Sequence, residues 1–166
     1  MSGLGTLLRC TCGAAAAEMA LILPLLVTLL FGGSELGYYF YNQHQVVKGV
    51  RDGARFASRQ SFVGLNCNNG DFTVTAPAAT PIQEVTRTGQ VSGGTPRVPG
   101  WVNDNITVEV TCPETAIKTG IYKNEANAPQ INITANVHYR SLFDGVGIID
   151  STYMLNATQQ AAVMGI

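Results

Sequence analysis

The chain has 166 residues, a formal net charge of −1, 46% apolar residues and 13% charged ones, which fits one modest domain plus an N-terminal segment with a separate purpose. So small a net charge supplies no overall basic field; it argues against bulk nucleic-acid binding, and nucleic acid is not an expected partner. The apolar residues crowd the stretch before residue 42, while the remainder is rich in Asn, Thr, Gly and Pro, the composition of short strands and loops.

In chain order, the first twelve residues carry one basic side chain, Arg9, and two cysteines, Cys10 and Cys12. Arg9 directly before Cys10 is incompatible with a lipidation box, and two thiols alone make a weak metal site. Both cysteines are read as incidental. From Met19 to Phe31 there is no charge, and the run from Ala14 to Gly33 amounts to about 20 residues, roughly 30 Å as a helix. It fits a membrane anchor, and bilayer helices tolerate a proline such as Pro24. It also fits a secretory signal peptide, with Gly32 and Ser34 as the small residues of a cleavage site.

Glu18 lies inside this run. An acid at the centre of a bilayer helix costs about 2.5–3.5 kcal/mol on insertion scales, and intramembrane acids usually have a partner and a purpose. Yet Glu18 is only about 7 Å along a helix that starts at Ala14, close enough to an interface to reach water. Physics alone leaves both readings open.

Tyr38, Tyr39, Phe40 and Tyr41 form an aromatic belt where such a helix leaves lipid. Beyond it, Val46, Val50, Ala54 and Ala57 recur at i, i+4, i+8 and i+11, an apolar helical stripe. Lys48, Arg51, Arg55 and Arg59 mark a different, basic face, either simply solvated or available to DNA or an acidic neighbour. The pattern predicts one long helix from about Ala14 to Ser58, roughly 65 Å, with its outer half packed on the domain that follows. Gly33 and Gly37 are spaced as GxxxG, as are Gly49 and Gly53; the spacing suits close helix approach in a bundle, or it is chance in a Gly-rich chain.

From Ser61 to Asp104 the sequence is loop-like, with a short strand expected at Phe72 to Thr75 and a helical turn at Pro81 to Thr88. Period-two alternation predicts strands over Asn105 to Thr111 and Gln130 to Tyr139, and more weakly over Thr152 to Val163. The expected fold class is α+β: a long N-terminal helix packed on a small antiparallel sheet. Asn105, Asn132 and Asn156 each open a glycosylation sequon, but all lie on expected strands and read as a polar sheet face. If this second part is exported, Cys67 and Cys112 are the natural disulfide pair; the alternative is two buried free thiols.

Catalytic constellations are missing. There is no HExxH, GxSxG or phosphate-binding loop. His44 and His138 read as surface residues, Glu125, Asp144 and Asp150 lack the spacing of a calcium loop, and Gly145 and Gly147 read as a turn. Neither an enzyme, a cofactor nor a metal site is expected.

Gly13-Ala14-Ala15-Ala16-Ala17-Glu18 resembles the processing site of type IV prepilins. That resemblance implies cleavage after Gly13 by a prepilin peptidase, with Ala14 as the new N-terminus and Glu18 as fifth mature residue. It also implies that Glu18 sets subunit registry by pairing with a neighbour's terminal amine, since a wrong register leaves both charges unpaired. Met19 stands where that family often has Phe. A longer stretch, Gly13 to Ala57, is similar to the TadE-like segment of tight-adherence pilus proteins. The shared features are Glu18-Met19-Ala20, Leu23-Pro24, Glu35, the aromatic group and Asp52-Gly53-Ala54-Arg55. The resemblance implies a leader over 1–13, a TadE-like helix over 14–60 with its span at about 14–41, and an extracytoplasmic head over 61–166. It further implies a pilin or pseudopilin in the inner membrane, whose partners are other pilins, the prepilin peptidase, the assembly platform and the bilayer. The head is placed outside although the basic residues following the span outnumber Arg9 before it, the reverse of the positive-inside pattern. Two rival readings are a secreted binding module with an ordinary signal peptide and an uncleaved bitopic scaffold of a secretion machine.

Overall fold

The computed structural model describes residues 12–68, 70–114, 119–123, 127–143 and 152–165. Residues 1–11, with Arg9 and Cys10, lie outside them, as do Glu125, Asp144, Gly145, Gly147 and Asp150. The chain is α+β, as its patterning predicts. Helix α1 (Cys12–Ser58) is 47 residues long. Two compact units divide it, one ending at Tyr38 and the other running from Tyr39 to Ile166.

In the first unit α1 is long and apolar enough to cross a bilayer, and none of its most apolar stretch is buried. Leu21, Leu25, Leu29 and Leu30 are all exposed. A helix that is apolar all round and buries none of that surface in its own chain needs an apolar surrounding. Pro24 removes the amide that would close a bond to Ala20. Downstream, the Thr28 hydroxyl donates to the Pro24 carbonyl at 2.8 Å, and that of Ser34 to Phe31 at 2.9 Å. Both hydroxyls are thus satisfied within the helix, without water.

The second unit holds the head. After α1 come β1 (Phe72–Thr73), α2 (Ala79–Thr88), β2 (Ile106–Thr111), β3 (Gln130–His138) and β4 (Met154–Ala162). The strands form one antiparallel sheet in the order β1-β2-β3-β4. Register follows the alternation read from the sequence: Val108 faces Ile133, and Val110 faces Ile131. Ile106, Val108, Val110, Ile131, Ile133, Ala135, Val137 and Leu155 share the inner face, and all are buried. Full burial of each Ile, Leu or Val contributes about 1.5–3 kcal/mol relative to exposure. Asn105, expected on a strand, instead ends a short 3-10 helix (Asn103–Asn105), its Oδ1 accepting the Val102 amide at 3.1 Å, while Asn132 and Asn156 lie on the polar outer face of the sheet. Thr134 and Thr158 meet there across the strands at 3.2 Å.

Helix α2 buries Ala79, Ile82, Val85 and Thr86, the i, i+3, i+6, i+7 stripe of a helix lying on a core. It ends at Gly89, whose φ of 82° lets its amide close on the Val85 carbonyl at 2.8 Å. Next to it, the Glu84 carboxylate accepts hydrogen bonds from Asn103 Nδ2 at 3.0 Å and Arg87 Nη2 at 2.8 Å. Asn103 first and Arg87 second hold this carboxyl below its ordinary pKa.

Cys67 and Cys112 form a disulfide with Cα atoms 5.6 Å apart and 45 positions apart in sequence. It ties the loop that leaves α1 to the end of β2. Opening it should lower the unfolding free energy of the full chain by about 4 kcal/mol in the loop-entropy account. The Cys67→Ser/Cys112→Ser protein should therefore unfold at clearly lower urea concentration, measured by circular dichroism in a nonionic detergent.

Candidate functional site: the N-terminal helix

Two stretches of α1 carry the residues singled out by sequence. The first is Gly13 to Glu18 in the first unit. Gly13 lies in the helix with no side-chain or foreign atom near its missing Cβ, and Glu18 is exposed. Exposure of an acid within an apolar, unburied helix leaves it free to meet a charge from outside the chain. Gly33 and Gly37 likewise have nothing within 4 Å of the position a Cβ would take.

The second stretch, Val46 to Ala57, belongs to the head. Val46, Val50, Ala54 and Ala57 are buried, so the apolar stripe is the seat of α1 on its own domain. Gly49 and Gly53 lie on the same side. A Cβ on Gly49 would collide with the Thr86 carbonyl and, at 2.7 Å, with the Trp101 ring. A Cβ on Gly53 would overlap the Thr86 hydroxyl, with Ile133 Cδ1 at 3.4 Å. The absence of side chains at these positions lets α1 approach α2 closely. The GxxxG spacing of Gly49 and Gly53 is therefore used within one chain, while that of Gly33 and Gly37 faces open space.

Asp52-Gly53-Ala54-Arg55 can now be read residue by residue. Asp52 Oδ2 accepts from Arg97 Nη2 at 2.7 Å, the two side chains being 32% and 16% exposed. Gly53 admits Thr86, whose hydroxyl donates to Ile82 at 2.8 Å. Ala54 is buried and Arg55 is exposed. Sequence reasoning missed Arg97 because it stands in the Gly/Pro-rich connector, 45 positions from Asp52, where no periodicity marks it. The nearest signal was a lone arginine between Pro96 and Pro99.

Further contacts fasten the helix. Gln43 Nε2 donates to the Asn156 carbonyl at 2.8 Å, and the Met164 amide to the Ser58 carbonyl at 2.7 Å. Tyr39 meets Tyr139 edge to face at 5.2 Å, while Phe40 and Tyr41 are exposed. His44 and His138 are both exposed. Among the described residues no three His, Cys, Asp or Glu side chains are grouped to hold a metal ion.

Asp52→Asn should destabilise the head by about 1–2 kcal/mol, since it leaves the half-buried Arg97 without its counter-charge. Urea unfolding of the full chain in detergent checks this.

Comparison with known proteins places the match on this helix. A family model described as TadE-like protein covers residues 13–55, from the glycine before the alanine run to the exposed Arg55. No curated protein and no solved structure matches the chain. Over residues 13–55 of its 166, the chain is thus similar to a TadE-like protein.

Proposed function

We propose that this chain is a TadE-like minor pilin or pseudopilin, anchored in the bacterial inner membrane by one helix and acting in the assembly of a tight-adherence pilus. One observation carries the reading: the TadE-like match begins at Gly13 and takes in an apolar stretch of helix that its own chain does not cover. Such a surface suits lipid before assembly and other apolar helices after it. Packing, not catalysis, is the proposed mechanism, and the chain is read as a non-enzyme.

In this reading a prepilin peptidase cleaves after Gly13, and Ala14 gains a free amine. Glu18 stays exposed on the helix and meets the amine of a neighbouring subunit. Each charge alone is costly away from water, so the pair fixes which register is tolerated. The head stands outside the cytoplasm, where the Cys67–Cys112 bridge is chemically at home. Other pilins, the peptidase and the assembly platform are the proposed partners.

Intact mass of the protein from the membrane and pilus fractions tests cleavage. A product beginning at Ala14 is expected; one beginning at Met1 or Ser2, or near Glu35, would contradict the reading. Glu18→Ala should insert in the membrane normally and lose most of its incorporation into the pilus fraction, measured by immunoblot. Undiminished incorporation would refute the registry role.

A further inference from the structure

Lys48, Arg51 and Arg55 line the exposed side of α1 in the head, and Arg59 follows directly after its end. Spacings of three and four residues put them on one face. Among the described residues none of them is ion-paired, whereas Arg87 and Arg97 are. Arg51 and Arg55 open into a cleft of about 350 Å³ between α1 and β4, shared with Ser58, Gln159 and Ala161. The inner row of β4 explains the opening. It starts with the buried Leu155, but it sets Gln159 opposite Ile133 and Ala161 opposite Ile131. A polar and a small side chain give α1 nothing to close down upon, so the cleft stays open and basic.

Carboxylates gather at the other edge of the sheet. Glu109 pairs in register with Thr73, and Asp71 directly precedes β1. Asp71 accepts the Cys112 amide at 2.6 Å. Glu109 and the exposed Glu114 have no ion-pair partner among the described residues. In the strand order β1-β2-β3-β4 the two edges lie about 14 Å apart, three strand spacings. With a net charge of only −1, the chain carries separated charge more than excess charge.

We propose that the basic α1–β4 cleft docks the acidic β1–β2 edge of a second copy of this chain, Arg51 and Arg55 of one meeting Glu109 and Glu114 of the next. Opposite edges make the contact head-to-tail, so it propagates from copy to copy unless its rotation closes a ring. Charge complementarity sets its orientation and rejects cleft-to-cleft encounters. It rests on the geometry of the head and needs neither cleavage at Gly13 nor the charge of Glu18.

The test is sedimentation of the full chain in nonionic detergent, with Glu18 intact and again as Glu18→Ala. Association should occur in both and weaken on the order of tenfold from low to high salt. Arg51→Glu/Arg55→Glu should abolish it, and so should Glu109→Lys/Glu114→Lys. An equimolar mixture of the two should restore it, because every cleft again faces an edge of opposite sign. Arg51→Gln/Arg55→Gln, with its disulfide and urea midpoint unchanged, should also lose association and guards against misfolding of the reversed variants. A monomeric wild-type chain would overturn the proposal, as would association indifferent to salt and to these charges, or a mixture that stays apart. Loss of association only in the Glu18→Ala background would assign it to the apolar helix and overturn it too.

Discussion

The close approach of α1 to α2 at Gly49 and Gly53 is the contact on which the head depends. Helices separated by ordinary side chains lie 8–10 Å apart. Here the Thr86 backbone and hydroxyl occupy the space that two Cβ atoms would need. That proximity brings Val46, Val50, Ala54 and Ala57 into the core beside the inner face of the sheet. It also puts Asp52, one residue from Gly53, within reach of Arg97. The Asp52-Gly53-Ala54-Arg55 sequence is a docking device in which a counter-charge, a gap and a small apolar contact follow one another along the helix.

One helix thus serves two environments. In the first unit its most apolar stretch is buried by nothing in its own chain, and Glu18 is exposed on the same helix. From Tyr39 onward its buried stripe belongs to the head. The fold of the head thus draws on one part of the element and leaves the other part uncovered. Stability of the head comes from the sheet, the glycine seat and the disulfide. The exposed stretch is left for lipid or for other helices, which is where the TadE-like reading needs it.

Much of this was legible in the sequence, and the limits are instructive. The head part of α1 and the inner residues of β2 and β3 followed from periods of 3.6 and 2, because burial of one face imposes them, and the rest of α1 from its unbroken apolar run. Cys67 and Cys112 pair as an exported domain would have them. Spacing could not separate Gly33 and Gly37 from Gly49 and Gly53: the motif is the same, and only the atoms opposite differ. Arg97, Asn103 and Trp101 were illegible for a related reason. They sit in the connector between α2 and β2, where partners are set by how the chain folds back and leave no local pattern. The weak alternation of β4 was a true signal, since Gln159 and the alanines of its inner row mark where the core gives way to the basic cleft.

Hydrogen exchange of the full-length chain in detergent, with Gly53→Val beside the wild type, measures the division of α1 most directly. Loss of the glycine seat should raise exchange across Val46–Ser58, α2 and β3 together, and leave Met19–Phe31 unchanged. Undisturbed protection of Val46–Ser58, or equal loosening along the whole helix, would contradict the account.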